Sequence, residues 1–585
     1  MKIFSFKIGC RILLVLCFLL AVLKILLVGF DIDEQYAVAM SFRLLKGDFL
    51  LLDMWEPHQT SGFLCALLMM PYLAFTKSTT GIFLYLRVCG MLIHFGTFFL
   101  VRRFLCQIFN QTCNNNRDTA SLYATLIACI YFFTLPKIMF LPEFSNLQVW
   151  FLILSVILLI RYYICYTEES ARSSLLYLLL AGFCIMLEVL SYPSTILVFF
   201  FCIYCIIHFR HRHDLIQTIK ELTAFVLPCF LGVLIFCGYL LSHMNLEELF
   251  ELLPIVASDG SHSASLVYKV TSNLPALKEL FLFAIIYGAI SALMLIFLRK
   301  RRVASCQPVF LNWSILFLTV TLLGQLLIWV AGNHYPNYPH AEYFFLLLIM
   351  ALWAIREKIT ADPLFAFSFT MPLVAFCGIL LFTNHPLLVS APFLGPCTVG
   401  GLTLMSKYIM TNKDTFRLRK MLNLLLVLWT GVLLFGNLYL VRTTGGLHYT
   451  AFNSLSLMRQ GPAVGIIADS NTVKRYNAAA TILTENIPDK ANVFYAGSSS
   501  AIYLQRNMEI CTPSTISTPT YDEKISLYFA LHPQKAPMYI ICDTEQPDRN
   551  NYGWLADYIQ TVCEEEPIAG NYFFTIYKVS NPFLE

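Results

Sequence analysis

The chain has 585 residues, of which 58% are hydrophobic, 15% aromatic and 13% charged. That composition excludes an ordinary soluble enzyme and defines a polytopic membrane protein. The net charge of +4 gives no reason to expect a nucleic-acid partner, and most of the 19 cysteines sit in apolar runs (Cys17, Cys65, Cys129, Cys184, Cys202, Cys237) without the paired spacing of a zinc module.

The N-terminus is a basic start followed by an apolar run with no small-residue cleavage site after it, so it is expected to remain as a first membrane helix. Membrane-length windows follow near 81–101, 119–138, 147–164, 175–192, 194–208, 222–242, 279–298, 309–331, 343–356, 364–383, 390–410 and 421–441, about 13 spans with the first. The apolar piece 62–75 is awkward. If it does not cross and the N-terminus is cytoplasmic, then Arg102/Arg103, Arg210/Arg212/Lys220, Arg299–Arg302, Arg356/Lys358 and Lys407–Lys420 all fall inside, as the positive-inside bias requires. The expectation is therefore that 62–75 is re-entrant or interfacial, buried against other helices.

The first loop, 30–80, is then external, and it opens with GFDIDEQYAVAMSFRLLKGDFLLLDMWEPHQTSGF. Six acids gather there: Asp31, Asp33, Glu34, Asp48, Asp53 and Glu56. The DIDEQYAVAMSFRLLKG segment alternates like an amphipathic interfacial helix. Asp31 or Asp33 can cap it, and a carboxylate at the membrane boundary can equally serve as a general base on a hydroxyl. Downstream, the composition changes. The expected division is a transmembrane domain 1–441 and a small external α/β domain 442–585, with NAAATILTENI and YDEKISLYFAL as helices and NVFYAG, MYIICD and YFFTIYKV as strands. Asn-x-Ser/Thr occurs only at Asn110 and Asn312, and neither is external on this topology. That favours a bacterial cytoplasmic membrane over a secretory one.

Asp33, Glu34, Tyr36, Gly47, Asp48, Pro57 and Arg87 together resemble the first external loop of GT-C glycosyltransferases. The branch resembled contains the protein O-mannosyltransferases and the lipid A aminoarabinose transferase. Its motif is an Asp-Glu pair with a Tyr close behind it after the first span, a helix ending in Gly-Asp, a proline segment and an Arg opening the next span. EPHQTSGF departs from the Pro-Pro or Pro-Gly usual at that point. The resemblance implies an all-α polytopic domain with amphipathic helices in the first loop. It also implies a hexosyl- or pentosyltransferase that moves sugar, with inversion, from a polyprenyl-phosphate donor to an extracytoplasmic glycan, lipid or protein.

On this reading Asp33 is the base, with Glu34 and Glu143 shaping the site. A phosphate leaving group needs no acid, only cations or N–H groups to hold it. Candidates on the outer side are Arg43, Lys46, Arg87, Lys137 and Lys269, with Tyr36, Asp48, Glu56 and His58 in the first loop and His334, Tyr335, Tyr338 and His340 in a later one. No cofactor is required; Glu56, His58 and His340 are ligand types at undiagnostic spacing. The rivals are a transporter or flippase, which lacks support from paired halves or mid-span acids, and a glycan ligase or polymerase using a diphosphate-lipid donor.

Overall fold

The computed structural model describes residues 2–112, 117–167, 171–209, 215–257, 264–300, 309–331, 341–357, 362–411, 416–443, 446–449, 454–519, 522–545, 548, 550, 553–563 and 566–580. In chain order the helices are α1 (Lys2–Leu27), α2 (Ile32–Leu45), α3 (Gly62–Thr76), α4 (Ile82–Thr112), α5 (Arg117–Phe133), α6 (Phe144–Thr167), α7 (Ala171–Ser191), α8 (Leu197–His208), α9 (Leu215–Leu241), α10 (Leu246–Ala257), α11 (Leu266–Lys300), α12 (Val309–Ala331) and α13 (Ala341–Glu357). A π-helical turn, Ala366–Thr370, joins α14 (Pro363–Phe365) to α15 (Met371–Phe382), and α16 (Gly395–Thr411) and α17 (Phe416–Tyr439) complete the bundle. Leucine, isoleucine and phenylalanine side chains of α9 and α11, such as Ile235, Phe281 and Leu293, stand exposed along these helices, a surface that only a lipid environment tolerates.

Among the described residues, eight helical segments are long and apolar enough to cross a membrane. Seven of the thirteen windows read from the sequence fall within these segments; of the six that do not, three fall on α5, α13 and α16, each of 17 residues. At 1.5 Å per residue such a helix is about 26 Å long, short of a hydrocarbon core of about 30 Å.

Gln59–Thr76 is among the eight by length, yet both ends of α3 lie at the same end of the bundle. Thr60, just before it, donates to Leu190 O at 2.6 Å, and Thr79 and Gly81, just after it, bond to Leu504 O and Gly461 O of the C-terminal domain. The helix runs along that end rather than through the bundle. At the opposite end, Arg102 holds Thr125 and Ser121, Arg161 holds Gln107, and Arg419 holds Met410 O.

The sequence pattern leads one to expect α2 to be half-exposed. Instead it is buried from Glu34 to Arg43, because α3 packs on one side and the 500–504 turn of the C-terminal domain on another. The alternation marked a face that a second domain covers, not one that water wets.

After α17 come the hairpin β1 (Leu440–Thr443) and β2 (Gly446–Tyr449), then β3 (Leu455–Leu457) paired with β4 (Ile467–Asp469). A mixed sheet follows, built from β5 (Asn492–Ala496), β6 (Glu509–Ile510), β7 (Tyr539–Asp543), β8 (Ala569–Gly570) and β9 (Phe574–Lys578) in the order β6-β5-β7-β9-β8. β5 is parallel to both β6 and β7, and β9 runs antiparallel to β7. Helices α18 (Ser470–Asn486), capped by Asp469, and α19 (Asp522–Leu531) pack with a last helix, Trp554–Val562, to close a core of Val493, Tyr495, Ile541 and Ile576 on one face and Phe494, Ile540 and Leu555 on the other.

Candidate active site

The first turn of α2 sorts its three acids onto three different partners. Asp31 is the N-cap: it accepts from Ile32 N at 2.9 Å, and its other oxygen meets Arg442 Nε at 3.1 Å. Gly29 makes this approach possible, since its φ of +104° is a glycine conformation and a Cβ there would stand 2.8 Å from Arg442 O. Glu34 turns into the bundle and grips Arg87 through two bonds of 2.6 Å, both side chains fully buried. Arg87 also donates to Leu26 O and Gly29 O, so this pair ties α1, α2 and α4 together.

Of the three, Asp33 is the one that lines the cavity at this end of the bundle. The cavity, about 310 Å³, is walled by Asp33, Tyr36 and His58 of the first loop, Phe144 at the head of α6, His385 after α15 and Ser514 of the C-terminal domain. It lies where α1, α5, α6 and α15 end. Asp33 is ion-paired there with Lys137, whose Nζ also sits 5.9 Å from the Phe144 ring centroid. Burial works to raise the Asp33 carboxyl; the Lys137 charge and hydrogen bond, with Arg442 and His385 adding charge, hold it below the usual carboxylate range. Burial likewise opposes the Lys137 ammonium, but Asp33 and Asp31 hold it above the ordinary lysine value.

The loop that aims Lys137 is tightly built. A Cβ on Gly90 of α4 would collide with Phe140 O, so only glycine lets the loop sit on this helix. Ile138, next to Lys137, takes a φ of +52°, and His58 on the facing wall takes +57°. For a β-branched residue that conformation is costly and is held by its surroundings. The His58 ring stacks 4.4 Å from Phe144, and Tyr36 donates to Pro57 O.

Glu143 is a buried helix cap, not a solvated loop acid. Its oxygens accept from Ser145 N and Asn146 N at 2.8 Å, and burial pushes its carboxyl up to about 7 against the pull of Lys137 and those amides.

The remaining first-loop charges are drawn to the C-terminal domain rather than to the cavity. Arg43, buried, pairs with Asp48, donates to Asp53 O at 2.5 Å and reaches Tyr528 OH at 3.2 Å. Lys46 bonds Met508 O at 2.6 Å and Glu509 at 2.8 Å; Lys535 reaches back to Asp48. Glu56 accepts from Thr515 N, stands 3.9 Å from Arg43, and is pushed up to about 7 by burial. Lys269 donates to Leu381 O at 2.7 Å, beside the loop that carries His385. His334, Tyr335, Tyr338 and His340 lie outside the described residues. No three histidine, cysteine, aspartate or glutamate side chains converge as a metal set among the described residues.

Four participants escaped the sequence reading. Asn384 and His385 line the cavity from a Thr-Asn-His-Pro turn that directly follows an apolar span, a signal like the one that drew attention to the Tyr/His-rich loop. Arg442 and Ser514 carried no local signal at all.

Fold and site together describe a helical membrane protein whose α/β domain sits over a cavity at one end of the bundle. No model of a known protein family matches the chain, and no curated protein matches it in sequence. A solved structure, ArnT from Cupriavidus metallidurans in the apo state, is similar over 98% of this chain and 98% of that one, at 11% identity and a TM-score of 0.39.

Proposed function

We propose that the chain is a membrane glycosyltransferase of the GT-C kind, moving a sugar from a polyprenyl-phosphate donor to an acceptor on the side of the membrane that bears the C-terminal domain. The observation that carries this reading is the Asp33–Lys137 pair: a carboxylate and an ammonium facing one open cavity at the ends of membrane-length helices. The acceptor hydroxyl attacks the anomeric carbon as the bond to the phosphate oxygen breaks. The bond's electron pair leaves with the phosphate, and the proton passes to Asp33. Lys137 is the cation placed to meet the phosphate. A phosphate that draws the ammonium away also frees Asp33 from the charge that lowers its basicity, so donor binding strengthens the base when it is needed. A cavity at the ends of membrane-length helices suits a donor with an apolar tail and a polar head.

The test uses purified protein in lipid nanodiscs, with labelled polyprenyl-phosphate sugars and envelope glycolipid extract. Label should move from donor to acceptor in the native protein and not in Asp33→Asn. Label that crosses the bilayer in proteoliposomes with no new glycosidic bond would replace this reading with a transporter or flippase.

A further inference from the structure

A second cavity, also about 310 Å³, opens between the C-terminal domain and the start of α2, and nothing in the proposed transfer uses it. It lies beyond the carboxyl ends of the parallel strands β5 and β7. β5 has β6 on one side and β7 on the other, so this is the crevice where the chain's crossovers part in opposite directions, the usual place for a ligand in an open α/β sheet. Ser498 and Ser499 follow β5, Asp543 ends β7, Arg475 and Thr472 come from the first turns of α18, and Phe574 and Phe30 supply apolar wall.

The charges of the lining choose among ligand classes. Arg475 is ion-paired with both Asp543 and Glu545 and lies 5.1 Å from the Phe574 ring centroid. One guanidinium thus faces two carboxylates, and the α18 amide at Thr472 is already taken by Asp469. The lining carries a net negative charge, which repels phosphate and carboxylate ligands.

Gln35 supplies the second, independent observation. It is 2% exposed, lines this cavity, and its side-chain amide meets no hydrogen-bond partner among the described residues. A carboxamide offers both donors and an acceptor. Hydroxyl groups answer both without adding negative charge to a lining that is already negative; a phosphate adds that charge.

Gln35 also locates the cavity relative to the first. Asp33 and Tyr36 are three residues apart and face one side of α2, while Gln35, two residues from Asp33, faces the other. The loop after β5 bonds directly to the strip that walls the first cavity, with Ser517 N to Gly497 O at 2.9 Å and Ser500 Oγ to Thr515 O at 3.1 Å. One turn of helix and two loops separate the two cavities.

We infer that this second cavity binds a neutral sugar residue, and, resting on the proposed transferase reading, that the sugar belongs to a glycan acceptor whose reacting end reaches the Asp33 cavity. The test is saturation-transfer NMR on the full-length protein in nanodiscs, with methyl glycosides of glucose, galactose, mannose and N-acetylglucosamine as probes and inorganic phosphate as competitor. At least one glycoside should bind. Binding should weaken about tenfold in Gln35→Leu, the loss of one hydrogen-bonding group. It should vanish in Asn471→Trp, which blocks the exposed mouth without touching the core and carries the test if Gln35→Leu fails to fold. It should persist in Asp33→Asn and survive phosphate. The inference is overturned if no glycoside of the set binds the native protein, if binding is untouched by the mouth-blocking variant, or if phosphate displaces the sugar. Because the readout is binding without turnover, a protein that binds sugar here but transfers none would sink the transferase reading and leave the sugar site standing.

Discussion

The two ends of α2 both carry charged side chains and put them to opposite uses. At its first turn Asp33 stays partly open and shares a cavity with Lys137. At its last turn and just beyond, Arg43, Lys46, Asp48 and Glu56 are all consumed in contacts among themselves or with Tyr528, Met508, Lys535 and Thr515 of the C-terminal domain. A cluster of acids at a membrane boundary is therefore mostly a clasp between two domains. Only the member left facing space is available for chemistry.

The largest expected effect separates the two ends. Asp33→Asn should lower transfer by roughly 10²–10⁴-fold, the contribution of a positioned base, with thermal unfolding close to native. Asp48→Asn should do the reverse, lowering unfolding temperature while leaving most of the transfer activity. If Asp48→Asn lost as much turnover as Asp33→Asn at equal protein level, the contrast between an open end and a clasped end would fail.

Arg87→Leu tests the pair that fixes the open end. It leaves Glu34 as a buried, unpaired carboxylate, at a cost of about 3–5 kcal/mol. Little folded protein should be recovered from membranes, and Glu34→Leu combined with Arg87→Leu should restore much of it. No rescue by the double variant would mean that Arg87 acts through more than this pair.

Glu56 sharpens the clasped end. Its folded-state value, near 7, lies above that of an unfolded glutamate, so the folded chain holds a proton that the unfolded chain has released. Stability from this group is full below the unfolded value, falls by about 3 kcal/mol in all as pH rises from there to about 7, and is flat above it. Protease protection of the C-terminal domain, followed from pH 5 to 8, should decline in the native chain. It should be flat in Glu56→Gln, and an equal decline in both would assign the effect elsewhere.

The smallest effect is expected at Lys46, whose partner Glu509 is about a third exposed. Lys46→Ala should cost about 1 kcal/mol and should weaken further change with salt, as partly exposed pairs do. A loss of several kcal/mol would show that the Met508 carbonyl bond, rather than the ion pair, holds this corner.

Parts of this were legible from local pattern. The helices follow the apolar windows because hydrocarbon-length burial leaves a continuous signal in the chain. The three-residue spacing of Asp33 and Tyr36 put them on one helical face, and they do line the same cavity. Glu34 carried an equal signal and points elsewhere, into Arg87. His385 was open to notice, as a histidine placed just after a span. Ser514 was not, because a serine in a polar loop resembles any other.

The sequence by itself determined that this is a membrane protein, where most of its helices run, and that its last part alternates strands and helices; each of these is written in neighbouring residues. The tertiary structure decided which acid faces a cavity. The partners that neutralise the others stand far along the chain: Arg87 is 53 residues from Glu34, Arg442 is 411 from Asp31, and Lys535 is 487 from Asp48. A carboxylate's fate depends on the nearest cation in space, and local periodicity holds no record of that cation.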